Sequence, residues 1–180
     1  MIDSGISKIL LSEKEIKEQV RVLAKEISRD YEDKNLLLVS LLKGSVIFLS
    51  DLMRELTIDC AIDFMCVSSY ASGTKTSGTV KIIKDLDIDI SNSDVLLVED
   101  ILDSGLTLNY IIDILRPRNP KSIKICALLD KAERRQAPIE LDYCGFKIPN
   151  EFVVGYGLDY DEKYRNLPYV AVLSPSVYEG

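Results

Sequence analysis

Histidine does not occur anywhere among the 180 residues of the chain. Its absence excludes the Ser-His-Asp and Cys-His nucleophile systems, and every metal site that needs an imidazole ligand. Any chemistry that this chain performs must therefore use carboxylates, Lys, Arg, Tyr, hydroxyl groups and backbone amides.

Cysteine is scarce, and its spacing fits neither a disulfide framework nor a metal site. The chain has 4 cysteines, none of them in a C-x-x-C pair, and each has apolar or aromatic neighbours in the sequence. We interpret them as reduced core residues of a cytoplasmic protein. The four are Cys60, Cys66, Cys126 and Cys144.

Long apolar runs and an excess of basic charge are also missing. No apolar stretch reaches the roughly 18 residues that a membrane helix needs, and the first residues lack the pattern of a secretion signal. The 22 Lys and Arg are outnumbered by 29 Asp and Glu, so the electrostatic footprint of a nucleic-acid-binding protein is absent. We therefore expect one globular cytoplasmic domain with neither a membrane nor a nucleic acid as its partner.

Short apolar runs alternate with helical patterns, which predicts an α/β fold with a mainly parallel twisted sheet and helices on both faces. Ser12 and Glu15 form a capping box that opens the first helix. Segments near 58–84 and after 145 lack good helices, so we expect an antiparallel edge or a small lobe there. The predicted strands are 36–42, 58–67, 79–84, 95–98, 122–129, 152–155 and 170–173, and the later helices are 44–56 and 106–115.

The clearest buried strand, 95–98, runs directly into an acidic and glycine-containing turn. Ligands of open α/β sheets bind beyond the carboxyl ends of the strands. The turn Asp103–Thr107 opens a helix, Gly105 permits close backbone approach, and Ser104 and Thr107 add hydroxyl groups. Helix N-terminal amides with two hydroxyls predict a site for a phosphate monoester.

Three carboxylates, Glu99, Asp100 and Asp103, flank this predicted phosphate site. They would repel an anion unless sugar hydroxyls or Mg²⁺ stand between them and the ligand. A ligand with a ribose, a terminal phosphate and a Mg²⁺-bound polyphosphate satisfies both conditions. The plainer alternative is that the acidic residues only cap a helix and solvate the end of a strand.

The segment 95–108, V-L-L-V-E-D-I-L-D-S-G-L-T-L, resembles the phosphoribosyl-pyrophosphate motif of the type I phosphoribosyltransferases. Four other segments resemble the hypoxanthine-guanine phosphoribosyltransferases of purine salvage: L-L-K-G-S at 41–45, S-S-Y at 68–70, L-L-D-K at 128–131 and F-V-V-G-Y-G-L-D-Y at 152–160. The resemblance extends from about residue 10 to residue 173 and is specific to the 6-oxopurine branch when all five segments are taken together.

This resemblance implies a fold, a reaction and partners. The fold would be a single phosphoribosyltransferase domain over 1–180, with a small hood lobe formed by the N-terminal and C-terminal segments. The reaction would transfer 5-phosphoribosyl from phosphoribosyl pyrophosphate to hypoxanthine or guanine, giving IMP or GMP and pyrophosphate. Mg²⁺ would be the cofactor, and a homo-dimer or homo-tetramer is expected because relatives form them.

The resemblance also assigns roles around the central turn. Asp103 would be the general base that takes a proton from the imidazole ring of the purine. Glu99 and Asp100 would hold the ribose hydroxyls and the Mg²⁺ shell. The backbone of Ser104, Gly105, Leu106 and Thr107 would complete the 5′-phosphate site. Some relatives carry a basic residue in place of Leu106, so one charged contact to the phosphate is missing here.

Four residues outside the turn would bind the pyrophosphate or the Mg²⁺. Lys43 and Gly44 would contact the pyrophosphate, often through an unusual cis peptide in this family. Arg165 resembles the family's pyrophosphate-binding arginine, because an Arg fork matches phosphate oxygens. Asp159 resembles its second Mg²⁺-linked carboxylate.

The purine and the lid involve five further residues. Lys131 has three N–H donors and no acceptor, so it suits a 6-oxygen and opposes a 6-amino group. Phe152 would stack on the base, and Val153 would offer backbone groups to its exocyclic edge. Because water is the competing nucleophile, we expect the polar loop 68–78 to close over the site, with Ser69 and Tyr70 as lid contacts.

Two other readings of the sequence remain open. One is a regulatory protein that keeps this fold, senses phosphoribosyl pyrophosphate and binds RNA or DNA; it predicts a basic face or an added domain. The other is a sister transferase for orotate, uracil or adenine, against which Lys131 and the segment 152–160 argue.

Overall fold

The computed structural model describes residues 5–69 and 80–178, without the side chains of Ser69 and Val80. Nine strands and four α-helices follow one another in the described residues. The strands are β1 (Ile6–Leu11), β2 (Leu36–Leu42), β3 (Ala61–Ser69), β4 (Val80–Lys84), β5 (Asp94–Leu102), β6 (Ser122–Asp130), β7 (Tyr143–Lys147), β8 (Val153–Val154) and β9 (Val170–Leu173). The helices are α1 (Glu13–Asp30), α2 (Val46–Glu55), α3 (Leu106–Leu115) and α4 (Pro175–Tyr178).

Six of the strands form one sheet in the order β4-β3-β2-β5-β6-β7. The strands β3, β2, β5, β6 and β7 are mutually parallel, and β4 joins the edge antiparallel to β3. The predicted mainly parallel sheet with an antiparallel edge is therefore confirmed. Its parallel order places the carboxyl ends of β2, β5 and β6 side by side.

The central strand β2 is an apolar run interrupted only by Ser40, and it is covered on both faces. Leu36 and Leu38 pack into the core beneath α1 and α2, whereas Leu37 and Val39 pack on the opposite face beneath α3. Successive side chains of a strand point to opposite faces, so apolar residues are favoured at nearly every position of a strand that is covered on both sides.

The first helix begins as its capping box predicts. The Ser12 hydroxyl accepts from the Glu15 N–H at 3.3 Å, and the Glu15 carboxylate accepts from the Ser12 N–H at 2.8 Å. Ile16, Val20 and Ile27 of α1 are buried against the large sheet.

A second sheet of three antiparallel strands, β1-β9-β8, joins the N-terminal segment to the C-terminal segment. Several predicted strands differ from the structure at their ends: β3 begins at Ala61 rather than at residue 58, β5 continues to Leu102, and the predicted strand 152–155 is reduced to Val153–Val154. The extension of β5 follows from its ladder with β6, which continues through the pair Leu102 and Asp130.

The predicted helix 44–56 is shorter in the structure, and two strands were not predicted. Helix α2 begins at Val46, because residues 43–45 form a turn instead. The strands β1 and β7 lie at sheet edges, where pairing depends on a distant partner more than on a local apolar pattern. No helix within the described ranges has both the length and the apolar character needed to cross a membrane.

Candidate active site

Three predicted segments meet at the edge where β2, β5 and β6 end. The Lys43-Gly44 turn follows β2, the segment 99–107 closes β5 and opens α3, and Lys131 follows β6. A cavity of about 260 Å³ lies at this edge. Its lining includes the predicted site residues Gly44, Glu99, Asp100, Asp103, Ser104, Gly105 and Thr107.

The turn after β5 has the backbone conformation that its glycine predicts. Gly105 has φ 77°, a left-handed value, and is the N-cap of α3. Backbone N–H groups of Gln136 and Ala137 donate to the Ser104 carbonyl at 2.9 and 3.0 Å, which holds the turn from its outer side. The amides that open α3 are thus held in place beside the cavity, where a helix N-terminus attracts an anion.

Two adjacent carboxylates, Glu99 and Asp100, lie in the second half of β5 and line the same cavity. Glu99 is only 8% exposed, and its Oε1 has no hydrogen-bond partner among the described residues. Burial, together with the neighbouring Asp100, raises the pKa of Glu99 well above its ordinary value. Burial also raises the pKa of Asp100 to about 6, although the Ile101 N–H and Arg165 favour its charged form. Among the described residues neither carboxylate accepts a hydrogen bond from another side chain, so the burial of each is only partly compensated.

Gly44 lies where three segments approach one another too closely for a side chain. A Cβ at residue 44 would overlap the Asp100 carboxylate, and a Cβ at Gly157 would overlap the Gly44 carbonyl. The peptide bond between Leu42 and Lys43 is cis. The turn therefore presents backbone directly to the acidic end of β5.

Asp159 and Arg165 reach the same place from the segment after β8. The Arg165 guanidinium lies 2.8 Å from Asp159 Oδ1 and donates to the Gly157 carbonyl at 2.8 Å. It lies 3.4 Å from Glu162, whose carboxylate also contacts Lys43 Nζ at 2.9 Å. The two predicted pyrophosphate cations are thus linked through one glutamate.

Lys131 follows β6 at the same sheet edge as Asp103, although only Asp103 is part of the cavity lining. Lys131 is 7% exposed, and its backbone N–H donates to the Leu102 carbonyl at 3.0 Å. Burial lowers the pKa of Lys131, while the Asp103 carboxylate opposes that shift. Arg134 Nε lies 3.1 Å from Asp103 Oδ1, an ion pair that lacks the geometry of a hydrogen bond.

Val153 lies in β8 of the small sheet and Phe152 directly precedes that strand; both are outside the lining of the cavity. The Phe152 ring is 38% exposed, stacks on Tyr178 with centroids 5.1 Å apart, and meets Tyr160 edge to face at 5.7 Å. Val153 is buried and pairs with Val172. Tyr70 and residues 71–78 of the predicted lid lie outside the described residues, as does the side chain of Ser69.

The acidic end of β5 has the donors that Mg²⁺ prefers. Within the described residues no three Asp, Glu or Cys side chains stand close enough together to hold a metal ion by themselves. Mg²⁺ is usually bound through one or two carboxylates together with waters and substrate phosphates, so a complete protein cage is not required. The buried Glu99, which has an unpartnered oxygen, and the half-buried Asp100 next to it therefore fit Mg²⁺ that arrives with a phosphorylated ligand.

Sequence reasoning missed four residues that organise the site. Arg134 contacts Asp103, and Arg135 donates to the Asp103 and Ile139 carbonyls at 3.1 and 3.0 Å. Glu162 joins Lys43 to Arg165. The buried Tyr156 donates to Asp51 of α2 at 2.6 Å. The pair Arg134-Arg135 follows Lys131 closely in the sequence, but this spacing carries no information on what the two side chains contact.

Comparison with known proteins defines the class to which this fold and site correspond. The chain belongs to the phosphoribosyl transferase family, whose domain model matches residues 7–161, and within it to the hypoxanthine-guanine phosphoribosyltransferases. It is 50% identical over 180 residues to the hypoxanthine-guanine phosphoribosyltransferase of Bacillus subtilis (strain 168), covering 100% of both chains. The predicted family and fold class are confirmed.

A solved structure and a longer relative complete the comparison. The crystal structure of a hypoxanthine phosphoribosyltransferase from Staphylococcus aureus has a TM-score of 0.95 and 48% identity, with 100% of both chains covered. The "Bifunctional protein TilS/HprT" of Listeria innocua is 51% identical over 175 residues. That match covers 97% of this chain but spans only 27% of the length of the bifunctional relative.

Proposed function

We propose that the chain is a purine salvage enzyme that transfers 5-phosphoribosyl from phosphoribosyl pyrophosphate to hypoxanthine or guanine, giving IMP or GMP and pyrophosphate. The observation that carries this proposal is the convergence, at one sheet edge, of the Gly105 turn, the buried carboxylates of β5, the Gly44 turn and Lys131. The identity to hypoxanthine-guanine phosphoribosyltransferases over the whole chain supports the same conclusion.

The 5′-phosphate would bind in the turn Asp103–Thr107. The amides at the start of α3 and the hydroxyls of Ser104 and Thr107 supply donors, and Gly105 lets the backbone approach the ligand. Leu106, whose side chain is 52% exposed, would contribute its N–H and no charge.

Glu99 and Asp100 would accept hydrogen bonds from the ribose hydroxyls and contribute, with Asp159, to the shell of Mg²⁺. When bound, Mg²⁺ neutralises phosphate charge and makes the diphosphate a better leaving group. The same two carboxylates lie beside C1′ of the bound ribose in this arrangement. Their charge favours a transition state with oxocarbenium character, as flanking carboxylates do in glycoside hydrolysis.

Lys131 would select the base. Its buried ammonium can donate to the 6-oxygen of hypoxanthine or guanine, but it meets a second donor if adenine is bound. Such a buried mismatch costs about 1–3 kcal/mol, or roughly 5- to 150-fold in discrimination. The base would stack on the exposed part of the Phe152 ring, and Val153 would supply backbone groups to the exocyclic edge of the base.

Asp103 would act as the general base. Asp103 lines the cavity and its charge acts on Lys131, so a purine held by Lys131 would turn its imidazole ring toward this carboxylate. As the bond from the purine nitrogen to C1′ forms, Asp103 takes the ring proton, and the bond from C1′ to the diphosphate oxygen breaks. Lys43, Gly44 and Arg165 would hold the departing diphosphate through its oxygens.

The remaining predictions concern the whole molecule. We propose that residues 1–180 act as one domain, with the small sheet β1-β9-β8 as the hood and with Ser69 and Tyr70 as lid contacts. The four free cysteines support a reducing compartment such as the cytoplasm. Self-association as a dimer or tetramer is proposed from the resemblance alone.

A spectrophotometric assay with phosphoribosyl pyrophosphate, Mg²⁺ and one free base at a time tests the proposal. We expect nucleotide formation with hypoxanthine and guanine, and adenine slower by at least the mismatch factor given above. Equal rates with adenine would contradict the role of Lys131. No reaction with any 6-oxopurine would contradict the proposed function.

A further inference from the structure

Glu162 occupies a position between the two cations proposed to hold the diphosphate. Its Oε2 lies 2.9 Å from Lys43 Nζ, and its Oε1 lies 3.4 Å from Arg165 Nη2. These two cations come from distant parts of the chain, the turn after β2 and the segment after β8. One side chain therefore contacts both sides of the proposed diphosphate subsite.

The loop that carries Glu162 is held in an uncommon backbone conformation. Asp161, Glu162 and Tyr164 have φ values of 51°, 58° and 74°, in the left-handed region that non-glycine residues rarely adopt. The Glu162 N–H donates to Asp159 Oδ2 at 3.0 Å, which secures the turn. Such strain persists only where the surroundings enforce it, and it clusters at functional sites.

A carboxylate and a phosphate bind to the same hydrogen-bond donors. Both accept charge-assisted hydrogen bonds from ammonium and guanidinium groups, and Arg forks fit either anion. The Glu162 carboxylate is paired with both cations in the structure, at 2.9 Å from Lys43 Nζ and 3.4 Å from Arg165 Nη2. A diphosphate that engages Lys43 and Arg165 must then displace Glu162 or share their donors with it.

We propose that Glu162 is an internal anion that holds Lys43 and Arg165 between turnovers and competes with the diphosphate for them. This inference rests on the proposed function, because it takes Lys43 and Arg165 as the diphosphate cations. Glu162 is a positioning residue: it keeps the two cations in place in the empty site, and it returns to them as pyrophosphate leaves. The competition weakens pyrophosphate binding and so assists release of that product.

The variant Glu162→Gln tests the competition, with inorganic pyrophosphate in the presence of Mg²⁺ as the probe and isothermal titration calorimetry as the measurement. Glutamine keeps the length of the side chain and removes the charge. We expect the dissociation constant of pyrophosphate to fall by about 2- to 10-fold, the range expected when one or two exposed ion pairs no longer compete. A purely structural role would not give this result, because a disordered loop would weaken binding.

Asp161→Asn is the matched control. Asp161 precedes Glu162 in the same loop and pairs with Lys163 at 3.2 Å, so the variant removes the same charge nearby without touching Lys43 or Arg165. We expect its pyrophosphate affinity to stay within about 2-fold of the unmodified protein, as for a surface charge in salt. Equal tightening in both variants would overturn the inference, because long-range charge would then explain the effect.

The inference can fail while the proposed function stands. If the unmodified protein forms nucleotide and Glu162→Gln binds pyrophosphate no more tightly, then Glu162 does not compete and the inference is wrong. Failure of the proposed function would show separately, as an unmodified protein that binds pyrophosphate but transfers phosphoribosyl to neither hypoxanthine nor guanine.

Discussion

Replacing Asp100 by Asn should stabilise the ligand-free protein while it damages the site. Burial raises the pKa of this carboxyl from 3.8 to about 6. A carboxyl whose pKa is raised on folding favours the folded state below its ordinary pKa, and this contribution is lost as the pH rises through the folded value. Above about pH 6, the charged Asp100 side chain therefore costs the folded state free energy.

The magnitude follows from the shift. A change of about two pKa units corresponds to about 3 kcal/mol at 1.36 kcal/mol per unit. Asparagine is neutral and keeps an oxygen to accept from the Ile101 N–H, a hydrogen bond of 2.8 Å in the structure. We expect Asp100→Asn to raise the free energy of unfolding by about 1–3 kcal/mol near pH 8, and by roughly half as much near pH 5.

Urea denaturation followed by circular dichroism measures this difference, because the chain has 0 tryptophans for fluorescence. The samples contain EDTA and no ligand, so that no cation offsets the carboxylate charge. Asp59→Asn, at an exposed position before β3, is the control and should change stability by less than about 0.5 kcal/mol. An Asp100→Asn protein that is no more stable than the unmodified protein near pH 8 would refute the claim that the charged carboxylate is uncompensated.

Three further changes test the site and its support. Asp103→Asn should lower turnover by about 10²–10⁴-fold, since asparagine cannot accept the purine proton; an unchanged kcat would remove Asp103 from the role of general base. Gly44→Ala should lower kcat by about 10²-fold, because the new Cβ overlaps Asp100 and displaces either the turn or the carboxylate; normal kcat and KM would contradict the packing described for residue 44. Tyr156→Phe should cost about 1.5–3 kcal/mol in urea denaturation, as it removes the 2.6 Å hydrogen bond to Asp51, and unaltered stability would show that this bond contributes nothing.

The parts of the fold that sequence patterns predicted are those with local causes. The strand β2 is a continuous apolar run because both its faces are covered, and the turn at Gly105 needs a left-handed residue next to a helix start. Helix α1 begins at a capping box whose two partners are three residues apart. Each of these features is decided within a few residues, so the sequence alone carries the information.

The contacts that could not be predicted join residues far apart in the chain. Lys43 and Glu162 are separated by 119 positions, and their ion pair depends on how the segment after β8 packs on the turn after β2. The pair of Arg134 with Asp103 likewise depends on the direction of a side chain in a turn after β6. The edge strands β1 and β7 have partners that only the complete sheets define.

A crystal structure with bound IMP would show whether the nucleotide occupies the sheet edge formed by β2, β5 and β6. We expect the nucleotide phosphate on the amides of residues 104–107, the ribose hydroxyls against Glu99 and Asp100, and the 6-oxygen within hydrogen-bonding distance of Lys131 Nζ. A nucleotide bound away from the carboxyl ends of β2, β5 and β6, or one whose phosphate points away from Gly105, would contradict this expectation.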